Sequence, residues 1–173
     1  AQWLAEKFAG GALELGDRSV LATLVEYGRR GALIATTNFD TLLEGATGLG
    51  SATVHEPALE GILRGEERRV LHLHGVWNQP ASVVLGAADY TRVLRDGAAQ
   101  AALSRLLATH TLVFIGYHAS GEDPNVVGFL RWVAGASAID RHYRLVSRSE
   151  LATRRPEDET AARVVPLVYG DSD

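Results

Sequence analysis

The chain has 173 residues, enough for one domain with a sizeable core, and 46% of them are hydrophobic and 22% are charged. A net charge of −4 without a basic stripe argues against a nucleic-acid-binding surface, and no apolar run approaches the roughly 20 residues that span a membrane. Cysteine is absent, which excludes disulfides and cysteine-ligated zinc and leaves the cytoplasm as the expected compartment.

Short β-branched runs alternate with amphipathic stretches, a pattern typical of α/β units around a mostly parallel sheet. In chain order, the predicted helices are 2–8, 20–30, one starting at about residue 41, 90–109 and 125–134. The predicted strands are 32–36, 69–73, 83–85, 111–115, 143–146 and 164–168, with a weaker candidate at 52–55. Gly97 interrupts the long fourth helix and is expected to divide it. Because several strands are apolar on both faces, the sequence predicts a Rossmann-like, doubly wound sheet with helices on both faces.

In doubly wound folds ligands bind at the carboxyl ends of the strands, and three predicted strands end in polar residues. The first ends in T-T-N-F-D, residues 36–40, just before a helix. Asn38 or Asp40 could simply cap that helix by accepting hydrogen bonds from its free N–H groups. Polar groups cluster around one aromatic residue here, which also allows contact with a ligand.

The second strand end reads V-L-H-L-H-G, residues 70–75. Side chains alternate along a strand, so His72 and His74 are expected on one face. We predict that His72 is a hydrogen-bonded interior histidine. His74 lies nearer the carboxyl end, before Gly75, where the backbone can approach a ligand closely, and is a candidate acid–base group.

The third strand end leads through Gly116 and Tyr117 into a loop that reaches Asp123 and the next helix. Gly116 permits close approach of the backbone, and the N-terminus of that helix could favour an anion. Asp123 is either a helix cap or a catalytic group, and the sequence leaves both open.

Together these segments resemble the sirtuin-like family, especially its bacterial NAD-hydrolysing branch used in antiphage defence. The matches are T-T-N-F-D at 36–40, L-H-G at 73–75, I-G-Y at 115–117 and D-x-N at 123–125, and the segment 83–93 is also similar. The resemblance implies that NAD is the substrate, that Asn38 holds the nicotinamide ribose or orients a water, and that His74 is the general base. The NAD-binding residues that it implies are Thr36, Thr37, Phe39, Asp40, Gly75, Gly116, Tyr117 and Asp123.

Two features of the family are missing from the sequence. No glycine-rich strand-to-helix turn for the pyrophosphate is found, and methionine is absent even at position 1, so we expect one domain over 1–173 that lacks this turn and is a fragment of a larger protein. The four-cysteine zinc module of deacylating sirtuins cannot form, so no metal is expected. This favours NAD hydrolysis over deacylation, with a homo-oligomer or an attached sensor domain as the expected partner.

Three other interpretations stay open. His72 and His74 could be an H-x-H ligand pair of a metal-dependent hydrolase. The chain could be a non-catalytic module that senses NAD or ADP-ribose and regulates a partner. It could also be a protein deacylase, which the missing zinc module disfavours.

Overall fold

The structure is a computed structural model that describes residues 3, 4, 6, 18–84, 96–116, 141–152 and 164–170. It is an α/β fold in which parallel strands alternate with helices, so the predicted fold class is confirmed. The chain divides into two compact units, Ala1–Ala102 and Leu103–Asp173. No helix in the described ranges is long and apolar enough to cross a membrane.

The first unit is built around a three-stranded parallel sheet. Its elements are α1 (Arg18–Arg29), β1 (Ile34–Thr36), α2 (Leu42–Thr47), β2 (Gly50–Thr53), α3 (Leu59–Leu63) and β3 (Arg69–His72). The strand order is β1-β3-β2. Val70, Leu71 and His72 of β3 are fully buried. Because neighbouring side chains point to opposite faces, both faces of this central strand are covered, as its apolar sequence predicted.

The three strands of this sheet end at the same level. Thr36, the last residue of β1, pairs with His72, the last residue of β3, and His72 pairs on its other side with Thr53, the last residue of β2. Since all pairings are parallel, the loops that follow the three strands leave the same edge of the sheet.

The second unit contains a separate three-stranded parallel sheet. Its strands are β4 (Val113–Phe114), β5 (His142–Ser147) and β6 (Val164–Tyr169), in the order β4-β5-β6. Helix α4 (Gly97–Thr109) runs across the division between the units, and α5 (Arg148–Ala152) follows β5. Along β5 alternate residues are buried, which is the period of a strand with one face against a core. Pro166 lies in β6, an edge strand of the described sheet, where a missing N–H is tolerated.

The structure corrects the predicted strand at 83–85. Val83 and Val84 are buried but follow a 3-10 turn, Pro80–Ser82, without forming a strand, and Leu85 lies outside the described residues. The apolar run was a signal of burial, because so short a run carries no period that distinguishes a strand from a packed loop. Helices α3 and α5 were not predicted, since five residues are too few to show helical periodicity.

The helix predictions have mixed outcomes. Helix α4 begins at Gly97 and Asp96 is not helical, while residues 90–95 of the predicted fourth helix lie outside the described residues, so its division into two helices stays a prediction. Residues 3, 4 and 6 of the predicted first helix are helical. The predicted helix at 125–134 lies outside the described residues.

Candidate functional site

The last residue of β1 and the loop after it carry five of the predicted site residues, and side chains within this segment hold it in place. The N–H of Asn38 donates to Oγ1 of Thr36 over 3.0 Å, and the N–H of Leu42 donates to Oδ1 of Asp40 over 3.1 Å. Asp40 therefore satisfies a free N–H at the start of α2 from the position before the N-cap residue, Thr41, whose own side chain makes no capping hydrogen bond. Thr37 and Asn38 are exposed, and Phe39 is half-buried.

The segment after β3 is hydrogen-bonded to this loop through the backbone. The N–H of Leu73 donates to the carbonyl of Thr36, and the N–H of Trp77 donates to the carbonyl of Phe39, both over 2.9 Å. The two predicted segments, 36–40 and 73–75, are thus brought together at the carboxyl edge of the first sheet.

His74 lies two residues beyond the end of β3, because the strand ends at His72 and not at Leu73 as predicted. Strand alternation therefore does not set the direction of its side chain. The residue is half-buried, and its carbonyl accepts a hydrogen bond from the N–H of Val84 over 2.9 Å. Of the two histidines, His74 is the one that solvent can reach.

Gly75 is required for a reason that the sequence did not reveal. It is buried, with φ at +85°, and a Cβ placed on it would lie 2.2 Å from the carbonyl oxygen of Ser82. Ser82 also accepts the N–H of Val76 on its Oγ over 3.2 Å. The backbone that comes close to Gly75 in this structure is that of Ser82. The predicted contact between Gly75 and a ligand stays a prediction.

His72 is a hydrogen-bonded interior histidine, as predicted. Its Nδ1 lies 3.0 Å from the carbonyl oxygen of Asn38, and its Nε2 lies 2.6 Å from Oε1 of Glu44. The same Glu44 oxygen accepts the hydroxyl of Ser51 over 2.6 Å. A carbonyl has no proton to give, so Nδ1 must carry the hydrogen in the first of these bonds.

The surroundings of His72 and Glu44 favour the charged form of both. Burial acts to raise the pKa of Glu44, but the hydrogen bonds from His72 and Ser51 outweigh it, so that pKa lies below its ordinary value. Burial acts to lower the pKa of His72, but the bonds to Glu44 and to the Asn38 carbonyl raise it above its ordinary value. Both shifts favour an imidazolium beside a carboxylate.

This arrangement bears on the metal hypothesis. Both ring nitrogens of His72 are engaged by protein oxygens, so the ring offers no nitrogen for an H-x-H ligand pair with His74. Within the described ranges, no group of three or more His, Cys, Asp or Glu side chains is placed to hold a metal ion.

The third predicted segment belongs to the second unit. Gly116 follows β4 with φ at +70°, is exposed, and has open space where a Cβ would lie. Tyr117 and Asp123 lie outside the described residues.

Glu44, Ser51, Trp77 and Ser82 were missed by the sequence analysis. A signal existed for Glu44 alone: it is the only carboxylate in α2, and a buried histidine predicts a nearby acid. The partners of Ser82 and Trp77 follow from a loop that folds back on itself, which no local pattern encodes.

Polar loops at the carboxyl edge of a parallel α/β sheet are typical of the Rossmann-like class of folds, in which ligands bind at that edge. Within that class, residues 32–165 match the family model described as a SIR2-like domain. The chain belongs to the SIR2-like family, which uses NAD, so the resemblance seen in the sequence is confirmed at the level of the family. The match includes all three of the predicted segments.

Proposed function

We propose that the chain is an NAD hydrolase that cleaves the bond between nicotinamide and ribose, with Asn38 and His74 as its catalytic residues. The observation that carries the proposal is the joining of segments 36–40 and 73–75 at one sheet edge, with Asn38, which is exposed, and His74, which is half-buried, on adjoining loops. Membership of an NAD-using family supports the choice of substrate.

The residues present fit the ribose end of NAD. Bound NAD supplies a cationic nicotinamide leaving group, whose departure develops positive charge on the ribose. Asn38 offers an amide that can hold a ribose hydroxyl or orient a water, and the adjacent Thr37 is also exposed. A neutral imidazole can accept the proton that the reaction releases, which is the role proposed for His74. Gly116, Tyr117 and Asp123 are proposed to border the rest of the dinucleotide.

Release of nicotinamide and ADP-ribose from NAD, measured by chromatography, tests the proposal. A positioned base contributes about 10²–10⁴-fold to a rate, so we expect His74→Ala to lose turnover on that scale, and Asn38→Ala to lose it as well. His110→Ala, which removes a histidine that follows α4, is the matched control and is expected to keep wild-type turnover. A chain extended at its N-terminus belongs in the same assay, since no glycine-rich turn is found in the sequence.

Other outcomes would select other functions. Unchanged turnover in His74→Ala would overturn its role as the base. NAD binding without turnover in every chain would point to the sensing module. Nicotinamide release that requires an acylated peptide would point to a deacylase.

The biological setting that we propose is depletion of NAD in bacterial antiphage defence, triggered by a homo-oligomer or an attached sensor domain. Sequence similarity to that branch of the family supports it. The measurement is cellular NAD after phage infection of bacteria that make the full protein or its His74→Ala variant. A fall in NAD that does not depend on His74 would contradict it.

A further inference from the structure

We propose that His72 and Glu44 are positioning residues of the site: this hydrogen-bonded pair fixes the backbone of Asn38 and so orients the side-chain amide of Asn38 for catalysis. This inference rests on the proposed function, and it assigns a role to two side chains that do not touch the substrate.

The position of His72 excludes direct catalysis. Its side chain is fully buried in the last position of the central strand, between Thr36 and Thr53 on the neighbouring strands. Its two nitrogens are engaged by the Asn38 carbonyl and by Glu44. His72 can therefore act on a ligand only through the groups that it contacts. Of these, the backbone of Asn38 lies at the edge of the site.

The peptide units around Asn38 are fixed on both sides. Oγ1 of Thr36 accepts the Asn38 N–H over 3.0 Å, and Nδ1 of His72 donates to the Asn38 carbonyl over 3.0 Å. The next carbonyl, that of Phe39, accepts the N–H of Trp77. The exposed side chain of Asn38 therefore projects from a backbone whose orientation is determined by its neighbours.

A charged pair is a costly way to fill this part of the core. Replacement of a buried ion pair by apolar residues of similar volume is often neutral or stabilising. In addition, Oε2 of Glu44 is buried without a hydrogen-bond partner among the described residues. Stability alone does not explain such an arrangement. Charge on the imidazole does strengthen the hydrogen bond to Asn38, because charge-assisted bonds are shorter and stronger than neutral ones.

Two substitutions of His72 separate its two hydrogen bonds, one to the Asn38 carbonyl and one to Glu44. The amide nitrogen of asparagine matches the position of Nδ1, so His72→Asn can still donate to the Asn38 carbonyl but cannot reach Glu44. The amide nitrogen of glutamine matches Nε2, so His72→Gln can still reach Glu44 but leaves the Asn38 carbonyl without its donor. Both variants remove the same ring from the core, and each serves as the control for the other.

Steady-state kinetics with NAD and thermal unfolding are measured on both variants. We expect kcat to fall by about 10²-fold in His72→Gln, the order of loss that a misplaced catalytic group produces, and by clearly less in His72→Asn, with KM for NAD little changed in either. Equal loss of thermal stability with wild-type kcat in both would show a purely structural role and overturn the proposal. Glu44→Gln, which keeps the shape and removes the charge, replaces His72→Gln if that variant does not fold, and unchanged kcat in it would also overturn the proposal.

A nuclear magnetic resonance measurement separates failure of this inference from failure of the proposed function. Side-chain ¹⁵N signals of His72 should show both nitrogens protonated at neutral pH. The backbone amide signals of Asn38 and Phe39 should move in His72→Gln and stay near their wild-type positions in His72→Asn. If the wild type releases no nicotinamide, the proposed function fails, and these signals alone decide whether His72 sets the loop. Signals of Asn38 and Phe39 that are the same in all three chains would overturn the inference.

Discussion

The carbonyl of Asn38, an exposed loop residue, accepts its hydrogen bond from His72, a residue with no exposed surface. A buried side chain of the central strand thus fixes the backbone orientation of Asn38, the residue that is proposed to hold the ribose. Packing within the sheet is therefore linked to the proposed chemistry at its edge, and substitutions can test both.

The charge pair predicts a dependence of stability on pH. Because the pKa of His72 is raised from 6.5, its contribution is fully present below 6.5 and is lost as the pH rises through the higher folded value. Because the pKa of Glu44 is lowered from 4.5, its contribution is present above 4.5 and is lost as the pH falls through the lower folded value. We expect the difference in unfolding free energy between wild type and His72→Asn to be largest near pH 5.5 and to shrink towards pH 10.

Denaturant unfolding at a series of pH values measures this difference. Burial lowers the pKa of His142, which also makes stability pH-dependent, but that contribution is common to both chains and cancels in the comparison. A difference that is constant between pH 5.5 and 10 would contradict the charged state of the pair.

Substitution of Gly75 by alanine should destabilise the protein strongly. The left-handed conformation costs a residue with a Cβ about 1–2 kcal/mol, and the Cβ would also overlap the backbone of Ser82 at 2.2 Å. Gly48→Ala is the matched control, since Gly48 has φ at +72° with open space around it and therefore carries the conformational cost alone. Thermal denaturation should rank Gly75→Ala well below Gly48→Ala, and equal losses would show that Ser82 moves aside freely.

Two substitutions of Asp40 test its hydrogen bond with the Leu42 N–H and its charge separately. Asp40→Ala removes the acceptor for the Leu42 N–H and should cost about 0.5–1.5 kcal/mol of stability, whereas Asp40→Asn keeps an acceptor oxygen and should cost much less. If the carboxylate also contacts the ribose, turnover falls in both variants. Wild-type turnover in Asp40→Asn, measured beside its unfolding curve, would show that Asp40 acts only by accepting the Leu42 N–H.

Thr36 should matter through its hydroxyl oxygen. Thr36→Val keeps the shape but removes the acceptor for the Asn38 N–H, and Thr36→Ser retains it. Because Asn38 is exposed, water can replace the lost bond, so we expect a stability change of less than about 1.5 kcal/mol. Turnover should fall in Thr36→Val and be kept in Thr36→Ser. Equal turnover in the two variants would show that this bond does not aim Asn38.

The sequence was sufficient to predict what depends on local pattern. Apolar runs predicted the parallel strands to within a few residues, and the polar residues that follow them predicted the loops at the sheet edge. The interior role of His72 followed from its place in an apolar strand. For β3 the prediction succeeds because a strand that is buried on both faces needs apolar residues at consecutive positions.

What the sequence could not predict depends on residues far apart along the chain. The contact between His72 and Glu44 joins positions 28 residues apart, and it follows from the register of β1 and β3 together with the start of α2. The role of Gly75 depends on the 3-10 turn at Pro80–Ser82, which brings the carbonyl of Ser82 back against Gly75. The end of β3 at His72, which removes His74 from the strand, is set by pairing with its neighbours.

The hydrogen bonds that join the two loops differ in how they tolerate evolutionary change. The bonds from Leu73 to Thr36 and from Trp77 to Phe39 use backbone atoms alone, so any residue except proline at the donor positions preserves them. The bond to the Asn38 carbonyl requires the side chain of His72. Sequences can therefore diverge at Leu73 and Trp77 while the two loops stay joined, whereas a change at His72 needs a compensating change nearby if the orientation of Asn38 is to survive.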